Sequence, residues 1–187
     1  NKFFEGKTTN AIEFGTDRGG TLTTISKFIK KNSNIYAVDS FGFHAEEIKK
    51  NVSIYDEHYH GKYKPFTKKT RFKNFDHNEL SQELNEILAK KNSKLELIVG
   101  YFPKLKSEDM QKITSLKFSF VHLDFDLYKP TIDCLNFIKD RLEKNAIILV
   151  DDYNFINQEG VKKAIKDFDI DLSKGFQTQS GQLILFN

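Results

Sequence analysis

A single cysteine, Cys134, leaves the chain without an internal disulfide framework or a multi-cysteine zinc site. It falls in a helical pattern, TIDCLNFIKDRL, where the expected role is that of a small buried apolar residue. Long apolar runs are missing too: no stretch approaches the roughly 18 residues a membrane-spanning helix needs. No signal-peptide pattern is visible, so a cytoplasmic enzyme or binding protein with no membrane partner is the expectation. Charge of one sign is not in excess. The 29 Lys and Arg against 26 Asp and Glu give a net +3, too mild to argue for a nucleic-acid partner, and the lysines are interspersed with acids as on a solvated surface. Repeats and low-complexity segments are also absent, and 187 residues fit one domain, residues 1–187. The chain begins at Asn1 rather than Met, as expected where an N-terminal piece has been removed or left out.

What is present is an alternation of strand-like and helix-like segments, the pattern of a doubly wound α/β sheet with helices on both faces. Residues 11–15, 34–40, 95–100, 118–124 and 146–152 read as five parallel strands. Helical spacing appears over 21–31, with Leu22, Ile25, Phe28 and Ile29 on one face, and again over 78–90, 131–144 and the segment EGVKKAIKDF. The tail GFQTQSGQLILFN carries Ser180 and Gly181 between two extended runs, which predicts a closing β-hairpin. Residues 41–76, rich in aromatics, lysines and histidines, are too long for an idle connection and read as a lid or substrate loop.

The turn after the first strand, Glu13-Phe-Gly-Thr-Asp-Arg-Gly-Gly20, has glycines where a ligand can approach backbone at a helix N-terminus. Its spacing is not the G-x-G-x-x-G of dinucleotide folds. Asp39 ends the second strand about 20 residues on, where a carboxylate accepts hydrogen bonds from ribose hydroxyls. Glu13 and Asp17, offset only by Arg18, oppose a pyrophosphate and attract an ammonium. S-adenosylmethionine, with a ribose, an ammonium and no phosphate, therefore suits the loop better than NAD. An NAD(P)-dependent Rossmann oxidoreductase and a non-catalytic nucleoside-binding module remain as alternatives.

Two apolar runs, VHLDFDLY and ILVDDYN, stop abruptly at aspartate. If their strands are neighbours about 4.8 Å apart, Asp124, Asp151 and Asp152 repel one another unless a cation lies between them. Three hard oxygen donors favour Mg²⁺, Mn²⁺ or Ca²⁺. Asp126 reads as a ligand, a base or a structural acid, and His122 as a buried, hydrogen-bonded support. His58 and His60 alternate like a metal pair but have no third partner nearby in sequence, so they read as loop surface. With His44 they are candidates for substrate contact or general base.

The segments EFGTDRGGT, IYAVDSFGF, LIVGYFPK, FVHLDFDLYKPT, IILVDDYNF and GVKKAIKDF resemble, in order, those of the macrocin and mycinamicin O-methyltransferases. The resemblance implies a class I methyltransferase sheet with a reversed C-terminal strand, and O-methyl transfer from S-adenosylmethionine to a sugar, glycan or other small hydroxylated acceptor. It implies donor contacts from Glu13, Gly15, Thr16, Gly19, Asp39 and Ser40, with Gly100 and Tyr101 near the adenine. Asp124, Asp151 and Asp152 would hold Mg²⁺ or Mn²⁺; the residues themselves give the catalytic reading, in which Asp124 binds the metal that holds the acceptor hydroxyl and Asp126 or His44 removes its proton. A homodimer is the expected protein partner. Some segments differ from the family. The run after Asp39 is Ser40, Phe41, Gly42, Phe43 and His44 rather than one containing Gly-Leu-Pro, an acidic loop is replaced from Pro103 onward, and the family's N-terminal helices have no counterpart before Phe3.

Overall fold

The computed structural model describes residues 9–56, 69–155, 158–168 and 170–187. Among these residues seven strands form one sheet: β1 (Asn10–Phe14), β2 (Asn34–Asp39), β3 (Lys94–Val99), β4 (Phe118–Leu123), β5 (Leu142–Val150), β6 (Gly175–Gln177) and β7 (Leu183–Phe186). Their order is β3-β2-β1-β4-β5-β7-β6. The first five are parallel, and β7 runs antiparallel to both β5 and β6, so the tail is the expected hairpin. The chain leaves β1 toward β2 on one side and later returns to β4 on the other, which opens a switch point between β1 and β4 at their carboxyl ends.

Among the described residues six helices flank the sheet: α1 (Gly20–Phe28), α2 (Ala45–Lys50), α3 (His77–Ala89), α4 (Ser107–Thr114), α5 (Tyr128–Ile138) and α6 (Glu159–Asp167). Strand alternation sends one set of side chains to each face. Leu22, Leu84 and Leu88 of α1 and α3 pack on Ile35, Ala37 and Leu95. On the other face Ile113, Leu135 and Val161 of α4, α5 and α6 cover Ile12, Phe14, Val121 and Ile148. Cys134 is fully buried in this second cluster, in the apolar role expected of it. Among the described residues no helix is long and apolar enough to cross a membrane.

Several boundaries differ from the sequence reading. α1 ends at Phe28, whose side chain is 82% exposed instead of facing the core. At 3.6 residues per turn Phe28 lies about 120° around the helix from Leu22, while Ser26 lies about 40° away and takes the buried place. α5 starts at Tyr128 and gives way to a 3₁₀ turn (Lys139–Arg141), so β5 begins at Leu142, earlier than expected. The short helices α2 and α4, of 6 and 8 residues, carry too few apolar positions for a periodic signal.

Candidate active site

The register aligns the strand ends. Phe14 lies opposite both Val38 and Leu123, Asp39 opposite Val99, and Leu123 opposite Val150. Backbone hydrogen bonds carry this alignment one residue further: Gly15 N–H to Val38 O (2.9 Å), Asp124 N–H to Phe14 O (2.9 Å), Gly100 N–H to Asp39 O (2.8 Å) and Asp151 N–H to Leu123 O (2.8 Å). Gly15, Asp39, Gly100, Asp124 and Asp151 therefore emerge side by side. At Gly15 (φ 86°) a Cβ would lie 1.8 Å from the Asp124 carbonyl oxygen, so the two chains meet there only because this residue is glycine. A cavity of about 260 Å³ opens along this edge.

On the β1–β3 side, Gly15, Asp17, Asp39, Ser40, Gly100 and Tyr101 line the cavity. The Asp39 carboxylate accepts from the backbone N–H of Asp17 (2.7 Å) and of Phe41 (2.6 Å). Burial pushes its pKa up to about 6, with those N–H groups pulling in the opposite direction. Glu13, Thr16 and Gly19, expected as donor contacts, are not on the cavity wall. Glu13 is fully buried and pairs with His122, its carboxylate Oε1 2.9 Å from the ring Nδ1, which gives His122 the supporting role read for it. Gly19 instead caps α1 at φ 82°, against Leu80.

On the β4–β5 side, carboxylate oxygens of Asp124, Asp126 and Asp152 lie within 4.8 Å of one another. The resemblance implies Asp151 in this group rather than Asp126. Asp126 and Asp152 occupy left-handed backbone conformations (φ 61° and 56°), so each turns the chain back at a strand end, whereas Asp151 continues the ladder by its bond to Leu123. Burial, and then the charges of neighbouring aspartates, push Asp124 up to about 8 and Asp152 up to about 9, and burial raises Asp126 as well. Asp151 adds to the repulsion at all three. Sequence reading missed Gln158, a buried side chain whose Nε2 donates to Asp126 (2.6 Å).

The segment 69–77 closes one rim. Arg71 makes a bidentate ion pair with Asp17 and faces Asp124 and Asp126 across the cavity. Beneath it Phe41, Phe72, Phe75 and His77 pack ring to ring, with Phe41 stacked on His77 at 5.3 Å. Phe41 sits at φ 45°, a strained conformation for a bulky residue, directly beside Asp39. Near the middle of the expected lid, buried Asp56 accepts from Ser53 and from the Tyr128 N–H (2.8 Å) at the start of α5. This long-range cap leaves no local sequence signature. His44 precedes α2 and is not on the cavity wall, and His58 and His60 lie outside the described residues.

Four carboxylates, Asp17, Asp39, Asp124 and Asp126, face the cavity against Arg71, an arrangement that opposes a dinucleotide pyrophosphate and accommodates cationic ligands. The fold is similar to those of known proteins. The structure resembles that of the calicheamicin methyltransferase CalS11 (TM-score 0.67, 19% identity, covering 95% of this chain and 72% of that one). It resembles the O-methyltransferase NovP (0.70, 14%, 96% and 72%) and an O-methyltransferase from Bacillus cereus in complex with S-adenosylhomocysteine (0.54, 10%, 96% and 74%). At these identities the likeness establishes a Rossmann-like methyltransferase fold. No curated protein sequence matches the chain significantly. A family model described as a methyltransferase domain matches residues 12–153, from β1 through the acid cluster, and the chain belongs to that methyltransferase family.

Proposed function

We propose that the protein transfers a methyl group from S-adenosylmethionine to a hydroxyl of a sugar, glycan or other small hydroxylated acceptor, with Mg²⁺ or Mn²⁺ at the aspartate cluster. The observation that carries this reading is the shared cavity: Asp39 and Gly15 line one part of it and Asp124 and Asp126 another. Support for a sugar acceptor comes from the similar structure described as a TDP-rhamnose 3'-O-methyltransferase. The cluster fits a hard cation, because three half-buried carboxylates whose pKa values are raised by burial and by neighbouring acids are relieved by positive charge and offer oxygen donors. Asp124, Asp126 and Asp152 would hold the ion, with Asp151 adding charge behind them. When bound, the ion supplies Lewis acidity toward an acceptor hydroxyl.

The chain's own contribution is placement. Asp39 accepts the ribose hydroxyls, the turn at Gly15 lets the donor approach backbone, and Asp17 attracts its ammonium in exchange for Arg71. Of the base candidates among the described residues, Asp126 lines the cavity and His44 does not, so Asp126, steadied by Gln158, takes the acceptor's proton. Methyl transfer needs oxygen, carbon and sulfur in line, and the fixed strand ends supply that alignment.

Calorimetry with S-adenosylhomocysteine and with NAD, each with and without Mg²⁺, tests the reading. S-adenosylhomocysteine is expected to bind and NAD is not; the opposite result sinks the proposal. Screening hydroxylated acceptors with a labelled methyl donor then identifies the substrate.

A pH dependence follows from Asp39. The ionised carboxylate is the form that accepts two hydroxyls, and in the free protein it gains its proton as pH falls through about 6. Affinity for S-adenosylhomocysteine is expected to be level above pH 7 and to fall below pH 6, approaching about tenfold per unit. In Asp39→Asn, binding should be weaker and flat from pH 5 to 8. A wild-type profile without an inflection in that range would remove Asp39 from the donor site.

A further inference from the structure

The tetrapeptide Lys-Lys-Asn-Ser, too short to mark a structural repeat, occurs at residues 30–33 and again at 90–93. The fold sets the two copies side by side. They precede β2 and β3, whose first residues, Asn34 and Lys94, pair in register. Asn32 and Asn92 both turn the chain in left-handed conformations (φ 59° and 52°), which asparagine accepts more readily than most residues. The turns are bonded to each other: Asn32 N–H to Lys91 O (2.9 Å), Asn92 Nδ2 to Asn32 Oδ1 (2.7 Å) and Ser33 N–H to Ser93 Oγ (3.0 Å).

The paired turns concentrate charge that the overall balance hides. Residues 27–34 and 87–95 hold six lysines and no acid. Of the acids flanking the second stretch, Glu86 and Glu96, the latter is held by Lys112 at 2.9 Å. The Lys91 ammonium donates to the carbonyls of Ser26, Lys27 and Ile29 at the end of α1, where a helix dipole favours a cation. Lys27, Lys31, Lys90 and Lys94 are exposed, and none enters an ion pair among the described residues. Lys31 and Lys94 lie beyond the last turns of α1 and α3, so helix dipoles do not account for them. Next to Lys27 stands Phe28, 82% exposed, and among the described residues no large apolar side chain is more exposed.

A solvent-facing aromatic ring beside a cluster of lysines matches an anionic bilayer: the ring enters the boundary between headgroups and acyl chains, and the ammonium groups face lipid phosphates. Arginine, which grips nucleic-acid phosphates bidentately, is absent from both turns. We infer that the twin turns and Phe28 dock the protein on a membrane surface rich in anionic phospholipid, a partner that overall composition argued against. β2 runs from this edge to Asp39 in the cavity, roughly 17 Å at about 3.3 Å per residue, so docking leaves the cavity open at the far end of the sheet.

Sedimentation with vesicles of phosphatidylcholine alone, and of phosphatidylcholine with about 30% phosphatidylserine, tests this. At low salt the protein is expected to sediment with the second and not with the first, and added salt should release it. One lysine near an anionic surface is worth about fivefold in partitioning, so Lys31→Glu combined with Lys94→Glu should weaken vesicle binding at least about 20-fold while leaving the melting temperature unchanged. Phe28→Ser removes only the apolar part. It should weaken vesicle binding about three- to tenfold and leave retention on heparin as in wild type. Equal sedimentation with both vesicle compositions overturns the inference, as does a double lysine variant that binds vesicles like wild type. Tighter binding to single-stranded RNA than to the anionic vesicles at the same salt, with Phe28→Ser altering neither, assigns the surface to nucleic acid and overturns it too.

Discussion

Asp124→Asn is expected to lower methyl transfer at least about 100-fold while raising the melting temperature of the metal-free protein. Asparagine keeps the shape of aspartate and removes one ionisable carboxyl from a cluster of three whose oxygens lie within 4.8 Å. Without a cation the charged form of Asp124 is a liability, because burial and the charges of Asp126, Asp151 and Glu13 disfavour it. With a cation it is a ligand, and Lewis-acid stabilisation of a few kcal/mol corresponds to about 100-fold or more in rate. Thermal melts with and without Mg²⁺ separate the two effects. At 100 times its Kd the ion stabilises wild type by about 2.7 kcal/mol, roughly 5–11 °C for a domain of this size, and the variant should lose most of that shift. A variant with wild-type turnover and a wild-type Mg²⁺ shift would take the cation out of the mechanism.

The parts of the site visible in the sequence are those set by strand termini. An apolar run that stops at Asp39 or Asp124 declares both a buried strand and the residue at its exit, and the parallel register does the rest. Residues placed by turns were less legible. Asp126 and Asp152 group with Asp124 because their backbones are left-handed, and aspartate tolerates that conformation without advertising it. Arg71, Gln158 and Asp56 reach their partners across 54, 32 and 72 residues of chain, so no local pattern could pair them. Glu13 is placed differently from its neighbours in the sequence pattern. It belongs to a recognisable segment, but a strand-interior position turns it into the core, where it serves His122 rather than the cavity wall. Phe28 shows the limit of periodicity near a helix end, where one residue of the pattern points to solvent.

Two glycines of one loop should respond oppositely to the same substitution. Gly15→Ala is expected to lower the melting temperature by roughly 5–20 °C, whereas Gly20→Ala should leave it unchanged or raise it slightly. At Gly15 the backbone has φ 86°, a conformation that costs an L-residue about 1–3 kcal/mol. The added methyl would also lie 1.8 Å from a backbone carbonyl, which cannot rotate away as a side chain does. Relief requires β1 and β4 to separate where they are hydrogen-bonded, at a further cost of about 1–3 kcal/mol. At Gly20, the first residue of α1, a Cβ meets nothing within 4 Å, and alanine is the better helix former. The carbonyl displaced in Gly15→Ala belongs to Asp124, so the damage reaches the acid cluster as well as the fold. Below its own melting temperature the Gly15 variant should therefore show a smaller Mg²⁺ shift and slower methyl transfer than its folded fraction accounts for, while the Gly20 variant matches wild type in both. Equal behaviour of the two variants would mean that the strand ends do not meet at Gly15, and the alignment of donor and acceptor groups along one sheet edge would lose its structural basis.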